Sequence, residues 1–136
     1  MRRIKYLVLV LLVVFSTFLY SCKEETKKEI TCDMIVTAYE EAGYWVWHSD
    51  HYEGEDEYCH IRAQKTEDAE DYIYFCLFQT EEGAQRQKEQ DEDNIARWLV
   101  SIMFGEARWW QSKRYGKIQY SYYDTSLVEP FNNLID

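Results

Sequence analysis

Proline and glycine are scarce, with one Pro and five Gly in 136 residues. That scarcity excludes collagen-like and low-complexity classes. Basic residues are outnumbered, 15 Lys and Arg against 25 Asp and Glu, for a formal charge of −10. Nucleic acid is therefore not an expected partner, because binding there rests on neutralising phosphates with Lys and Arg. The chain has no G-x-S-x-G, no H-E-x-x-H, no Cys-x-x-Cys and no EF-hand spacing. The usual serine-hydrolase, zinc-protease and calcium-loop signatures are thus missing. Nothing in the sequence implies a cofactor. What the chain does have is aromatic content, 17% of residues, and a length that fits one domain.

The first 22 residues have a tripartite layout. Arg2, Arg3 and Lys5 form a positive start, and Tyr6 to Phe18 is an almost unbroken apolar run. The run is shorter than the ~20 residues that a membrane-spanning helix needs. A basic start, a short apolar core and small residues before a cut read as a secretory signal. The run ends in Leu19-Tyr20-Ser21-Cys22. This tetrapeptide resembles the bacterial lipobox, in which a lipid is attached to the Cys and cleavage falls just before it. Leu19 and Ser21 fit that pattern, whereas Tyr20 is bulkier than the residue usual there. Cys22-Lys23-Glu24-Glu25 also resembles the short export signal of Bacteroidetes-type surface lipoproteins. These resemblances imply a signal peptide over residues 1–21, lipid attachment at Cys22 and an extracytoplasmic, membrane-held protein. They extend only to Glu25.

Cleavage before Cys22 removes three of the 15 basic residues and no acidic ones, so the formal charge moves from −10 to −13. More than one acyl chain, at ~0.8 kcal/mol per buried CH₂, holds firmly. Anionic head groups should repel the acidic remainder within a Debye length of ~8 Å. The lipid should therefore supply the membrane affinity. Residues 22–29 read as lipidated Cys and charged tether, and 30–136 as one domain.

Periodicity divides that domain. Ile30 to Gly43 places Cys32, Ile35, Ala38, Tyr39 and Ala42 on one helical face, with Thr31 as N-cap and Gly43 as stop. Tyr44 to Ser49 is aromatic and β-branched, hence a strand. Tyr58 to Lys65 alternates, with Cys59, Ile61 and Ala63 on one side and Tyr58, His60, Arg62 and Gln64 on the other. Asp71 to Gln79 is apolar on both sides, as a central strand is. A hairpin would set Ile73, Phe75 and Leu77 across from Ala63, Ile61 and Cys59. Thr80 is a candidate N-cap for a polar, solvated helix reaching Asp93. Asn94 to Phe104 is the strongest apolar helix segment, with Ile95, Trp98, Leu99, Ile102 and Met103 on one stripe. Trp109 to Lys113 and Gly116 to Tyr123 suggest two strands, and Ser126 to Asp136 a closing helix. The expected architecture is a two-layer α+β domain, an antiparallel sheet of four to five strands with helices on one face.

Three Cys remain once Cys22 is lipidated. Cys32 and Cys59 both point into the proposed interior, so they are the expected disulfide, with Cys76 reduced. The rivals are a Cys59–Cys76 bridge after a one-residue slip, and three free thiols.

Two clusters could carry function. His48, His51 and His60 lie among Asp50, Glu53, Glu55, Asp56 and Glu57, a mixture able to ligate zinc or another transition metal, although no helical spacing gathers them. His60 and Cys76 would be cross-strand neighbours, and such a pair can generate a thiolate. The second cluster is aromatic. Tyr58, His60, Tyr72, Tyr74 and Phe78 would share the sheet face away from the helices, and an exposed aromatic face suits a protein or carbohydrate ligand. The favoured expectation is a lipid-anchored, non-catalytic binding module. The alternative is a small extracytoplasmic enzyme or metal-binding protein using the His48/His51/His60 region.

Overall fold

The computed structural model describes Tyr6, residues 26–50 and 56–94, Leu99, Met103 and residues 110–136. Cys22 and, apart from Tyr6, the expected signal peptide, together with His51 and nearly all of the apolar segment expected at Asn94–Phe104, lie outside them. Among the described residues, no helix is long and apolar enough to cross a membrane.

Helix α1 spans Cys32–Glu41. Thr31 Oγ1 accepts the Met34 N–H at 3.3 Å, supplying one of the bonds a helix start cannot make internally. Gly43 follows with φ +84°, the left-handed conformation that lets the chain turn directly into a strand. Strands β1 (Trp45–Ser49), β2 (Glu57–Gln64) and β3 (Tyr72–Phe78) come next, then helix α2 (Glu81–Asp93). Strands β4 (Gln111–Tyr115) and β5 (Ile118–Tyr122), a 3-10 turn (Thr125–Val128) and helix α3 (Glu129–Ile135) complete the chain. All five strands pair antiparallel in the order β1-β2-β3-β5-β4. The α+β class and the antiparallel sheet are as the periodicity predicts.

The β2–β3 register is also as expected, with Ala63 opposite Ile73, Ile61 opposite Phe75 and Cys59 opposite Leu77. Those side chains, with Ile118, Tyr120 and Tyr122 of β5, form the floor of the main core. Ile35 and Tyr39 of α1 and Phe131 of α3 close it from above. Phe75 is its centre, with ring centroids 5.6 Å from Tyr39, 5.8 Å from Tyr120 and 5.0 Å from Phe131. The buried Tyr39 hydroxyl donates to the Leu127 carbonyl at 2.7 Å, so its polar end is satisfied. Burial, with the Tyr44 phenol next to it, pushes its pKa far above the ordinary tyrosine range. The Cys32–Cys59 disulfide crosslinks α1 to β2, and Cys76 is free and buried.

Two details differ from expectation. The β4–β5 turn is Gly116-Lys117, because β4 starts and ends two residues later than the aromatic pair at 109–110 suggests. Gly116 has φ +55° there, as a tight hairpin turn requires. The second concerns α2, which packs on the face opposite α1 and α3, against β3, β4 and β5. Its contact surface consists of small residues and one carboxylate. Ala84 is fully buried against Cys76 and Phe78. Asp91 Oδ2 accepts from Gln119 Nε2 at 2.8 Å and from Ser121 Oγ at 3.1 Å. Gly83 lets the helix start lie close to the sheet, since a Cβ there would sit 2.0 Å from Asp56 Oδ2. The helices thus occupy both faces, and the face expected to be open is open only in part.

Candidate functional site

The α2-side face can be read in rows across the strands. One row is Ser49, His60, Cys76, Gln119 and Arg114, and the next is Trp47, Arg62, Tyr74, Ser121 and Ser112. Helix α2 covers the β3–β5–β4 side of both rows. At the other side lie β1 and the outer part of β2.

The aromatic candidates divide along that boundary. Phe78 is buried beneath Ala84. Tyr74 is half-buried, and its hydroxyl meets His60 Nδ1. Tyr72 is also half-buried, held between the Arg62 guanidinium, 4.1 Å from its ring centre, and the Trp110 ring at 5.7 Å. Arg62 is steadied by a bond from its Nε to Gln64 Oε1 at 2.8 Å. Trp45 and Trp47 are 36% and 46% exposed. They sit opposite Gln64 and Arg62, so both indoles share this face. Trp47, Arg62, Tyr72 and Trp110 together form the accessible platform. Alternation identifies the two tryptophans as strand residues. Only the β1–β2 pairing puts them at the open edge.

Tyr58 does not join the platform. The register shifts between Glu57 and Cys59, a β-bulge that re-aims the side chains on either side of it. Tyr58 instead lines a groove of about 410 Å³ with Lys27, Ile30, Tyr115 and Lys117. Partial burial, and then the Glu29 carboxylate, raise its pKa. The bulge brings Glu57 in its place, with Oε1 2.5 Å from His60 Nε2. Simple alternation puts Glu57 on the opposite face and so overlooks it.

Glu57, His60 and Cys76 form a buried polar cluster. His60 lies opposite Cys76 in the ladder, the neighbour relation expected of a Cys–His pair. Burial first, then the Glu57 charge and a hydrogen bond from the thiol to that carboxylate, raise the Cys76 pKa far above the ordinary thiol range. A thiol held neutral is a poor nucleophile. His48 lies opposite Ile61, on the other face of the sheet from His60. The described residues therefore do not gather the proposed His48/His51/His60 cluster. Cys32, Asp50 and Cys59 also lie close together, but the two sulfurs are bonded to each other.

The segment that precedes α1 is partly docked. Lys28 Nζ donates to the Leu134 carbonyl at 2.8 Å, and Lys27 Nζ lies 5.8 Å from the Tyr115 ring centre.

Comparison of the chain with protein-family models, with curated proteins and with solved structures finds no match.

Proposed function

We propose that the protein is a lipid-anchored extracytoplasmic module that binds a protein partner at the β1 edge of its sheet, with no catalytic step. The observation that carries this reading is the contrast between the two sheet edges. β4 has Lys113 and Arg114, the charges that commonly protect an edge strand against pairing. β1 (WVWHS) has no Lys, Arg or Pro, and it exposes Trp45 and Trp47 beside Arg62. Aromatic residues and Arg are the side chains most enriched in binding hot spots. Among the described strands β1 ends the sheet, and such an edge offers main-chain groups to an added strand. Stacking of a sugar ring on the indoles is the competing use of the same platform.

The anchor reading rests on the lipobox resemblance at Leu19–Cys22. With Lys27 and Lys28 held against the domain, four residues, 23–26, separate Cys22 from it, a reach of at most ~14 Å. The Lys27/Lys117 groove then lies toward the bilayer, where its lysines offset the repulsion felt by the acidic remainder.

The test is affinity capture from detergent-solubilised membranes, comparing the full chain with its Trp45→Ala/Trp47→Ala variant. The reading expects a specific protein that the wild type retains and the variant loses, with the variant's melting temperature unchanged. Equal capture by both contradicts it. Capture that disappears when glycans are enzymatically removed favours the sugar-stacking alternative.

A further inference from the structure

We propose that Glu57, His60 and Cys76 bind a zinc ion under helix α2, a site separate from the β1 edge and independent of the function proposed for it. Strand β2 contributes a carboxylate and an imidazole, and β3 a sulfur. The candidate ligand atoms all lie within 4.8 Å of one another. Zinc takes this mixture of oxygen, nitrogen and sulfur donors, with bonds of roughly 2.0–2.3 Å that set tetrahedral ligands about 3.3–3.8 Å apart. Accommodating the ion therefore requires the Glu57–His60 contact, now 2.5 Å, to open by about 1 Å.

Three features go beyond proximity. The first is charge: a dication balances one carboxylate and one thiolate, so the loaded site buries no net charge. The second is orientation. His60 Nδ1 is engaged by the Tyr74 hydroxyl, which leaves Nε2 as the atom directed at Glu57. Metal-binding histidines are commonly held this way by a partner on the other ring nitrogen. The third is the bulge, which interrupts an otherwise regular ladder at the position that brings Glu57 beside His60. Bulges of this kind recur where a side chain must be re-aimed. Burial of Cys76 under Ala84 also shields the sulfur from oxidants in an oxidising compartment.

The test uses the full chain in detergent, stripped with a chelator and titrated with Zn²⁺ against a chromogenic competitor. Parallel titration with Co²⁺ reads sulfur ligation as a thiolate-to-cobalt charge-transfer band. The proposal expects uptake of one ion per chain, and a band that Cys76→Ser abolishes and His48→Ala leaves intact. Tyr74→Phe, which removes the hydroxyl that meets His60 Nδ1, should weaken zinc uptake about tenfold. Zinc should also slow the reaction of the buried wild-type Cys76 with maleimide in moderate urea, where transient opening exposes it, a readout that requires no variant to fold. Absence of stoichiometric uptake by the wild type overturns the proposal. So does a cobalt band that survives Cys76→Ser.

Discussion

Replacing Cys32 and Cys59 together by alanine removes the disulfide that crosslinks α1 to β2. The bridge joins positions 27 apart in sequence, with Cα atoms 6.4 Å apart. Closing a loop of that length in the unfolded chain contributes about 3.5 kcal/mol on the chain-entropy account. Cys59 is 1% exposed, so losing its sulfur from the core adds roughly 1 kcal/mol. The double variant should therefore lose about 4.5 kcal/mol, and the reduced wild type about 3.5 kcal/mol. In urea melts followed by tryptophan fluorescence, a slope of ~1.5 kcal/mol per molar turns the latter into a midpoint drop of about 2 M. The experiment compares wild type and variant, each with and without reductant. Reductant should lower the wild-type midpoint and leave the variant unmoved. A wild-type midpoint indifferent to reductant would refute the bridge. A variant still sensitive to reductant would mean that Cys76 takes part in one.

Three further outcomes follow from the same structure. Phe75→Ala empties the centre of the core, where the ring is fully buried among Tyr39, Tyr120 and Phe131, and should cost ~3–5 kcal/mol in a chemical melt. Stability of the chelator-treated protein should fall as the pH rises above about 9, the ordinary thiol value. The unfolded chain releases the Cys76 proton there while the folded chain keeps it, so up to ~1.4 kcal/mol is lost per pH unit, and Cys76→Ala should flatten that part of the profile. Cys22→Ser should move the protein from the membrane fraction to the soluble one and abolish labelling by a radioactive fatty acid.

Much of the fold is written in local periodicity. The alternation of Tyr58–Lys65 against the apolar run at 71–79 was enough to pair Ala63 with Ile73, and that pairing put Cys59 beneath the helix carrying Cys32. Thr31 and Thr80 are both N-caps, as their places before helical segments suggest. What stayed hidden lacks a periodic mark. A bulge adds a single residue with no change in composition, so Glu57 takes the face that alternation assigns to Tyr58. Helix α2 has no apolar stripe. It packs through Gly83, Ala84 and the Asp91 carboxylate, and so reads as a solvated helix. Strand order is non-local: β5 inserts between β3 and β4, and nothing in the YWVWHS segment says that β1 ends on an edge. Alternation therefore put Tyr72, Tyr74 and Arg62 on one sheet face, but did not show that Trp45 and Trp47 stand exposed at its edge.

The β1 edge is the central functional claim, and site-specific photocrosslinking in intact cells tests it most directly. A photoreactive residue at Trp47 is compared with one at Lys113 on the opposite edge, both in the full chain. The account predicts a discrete crosslinked protein from position 47 and none from position 113. Crosslinks of equal yield from both edges, or none from position 47, would contradict it.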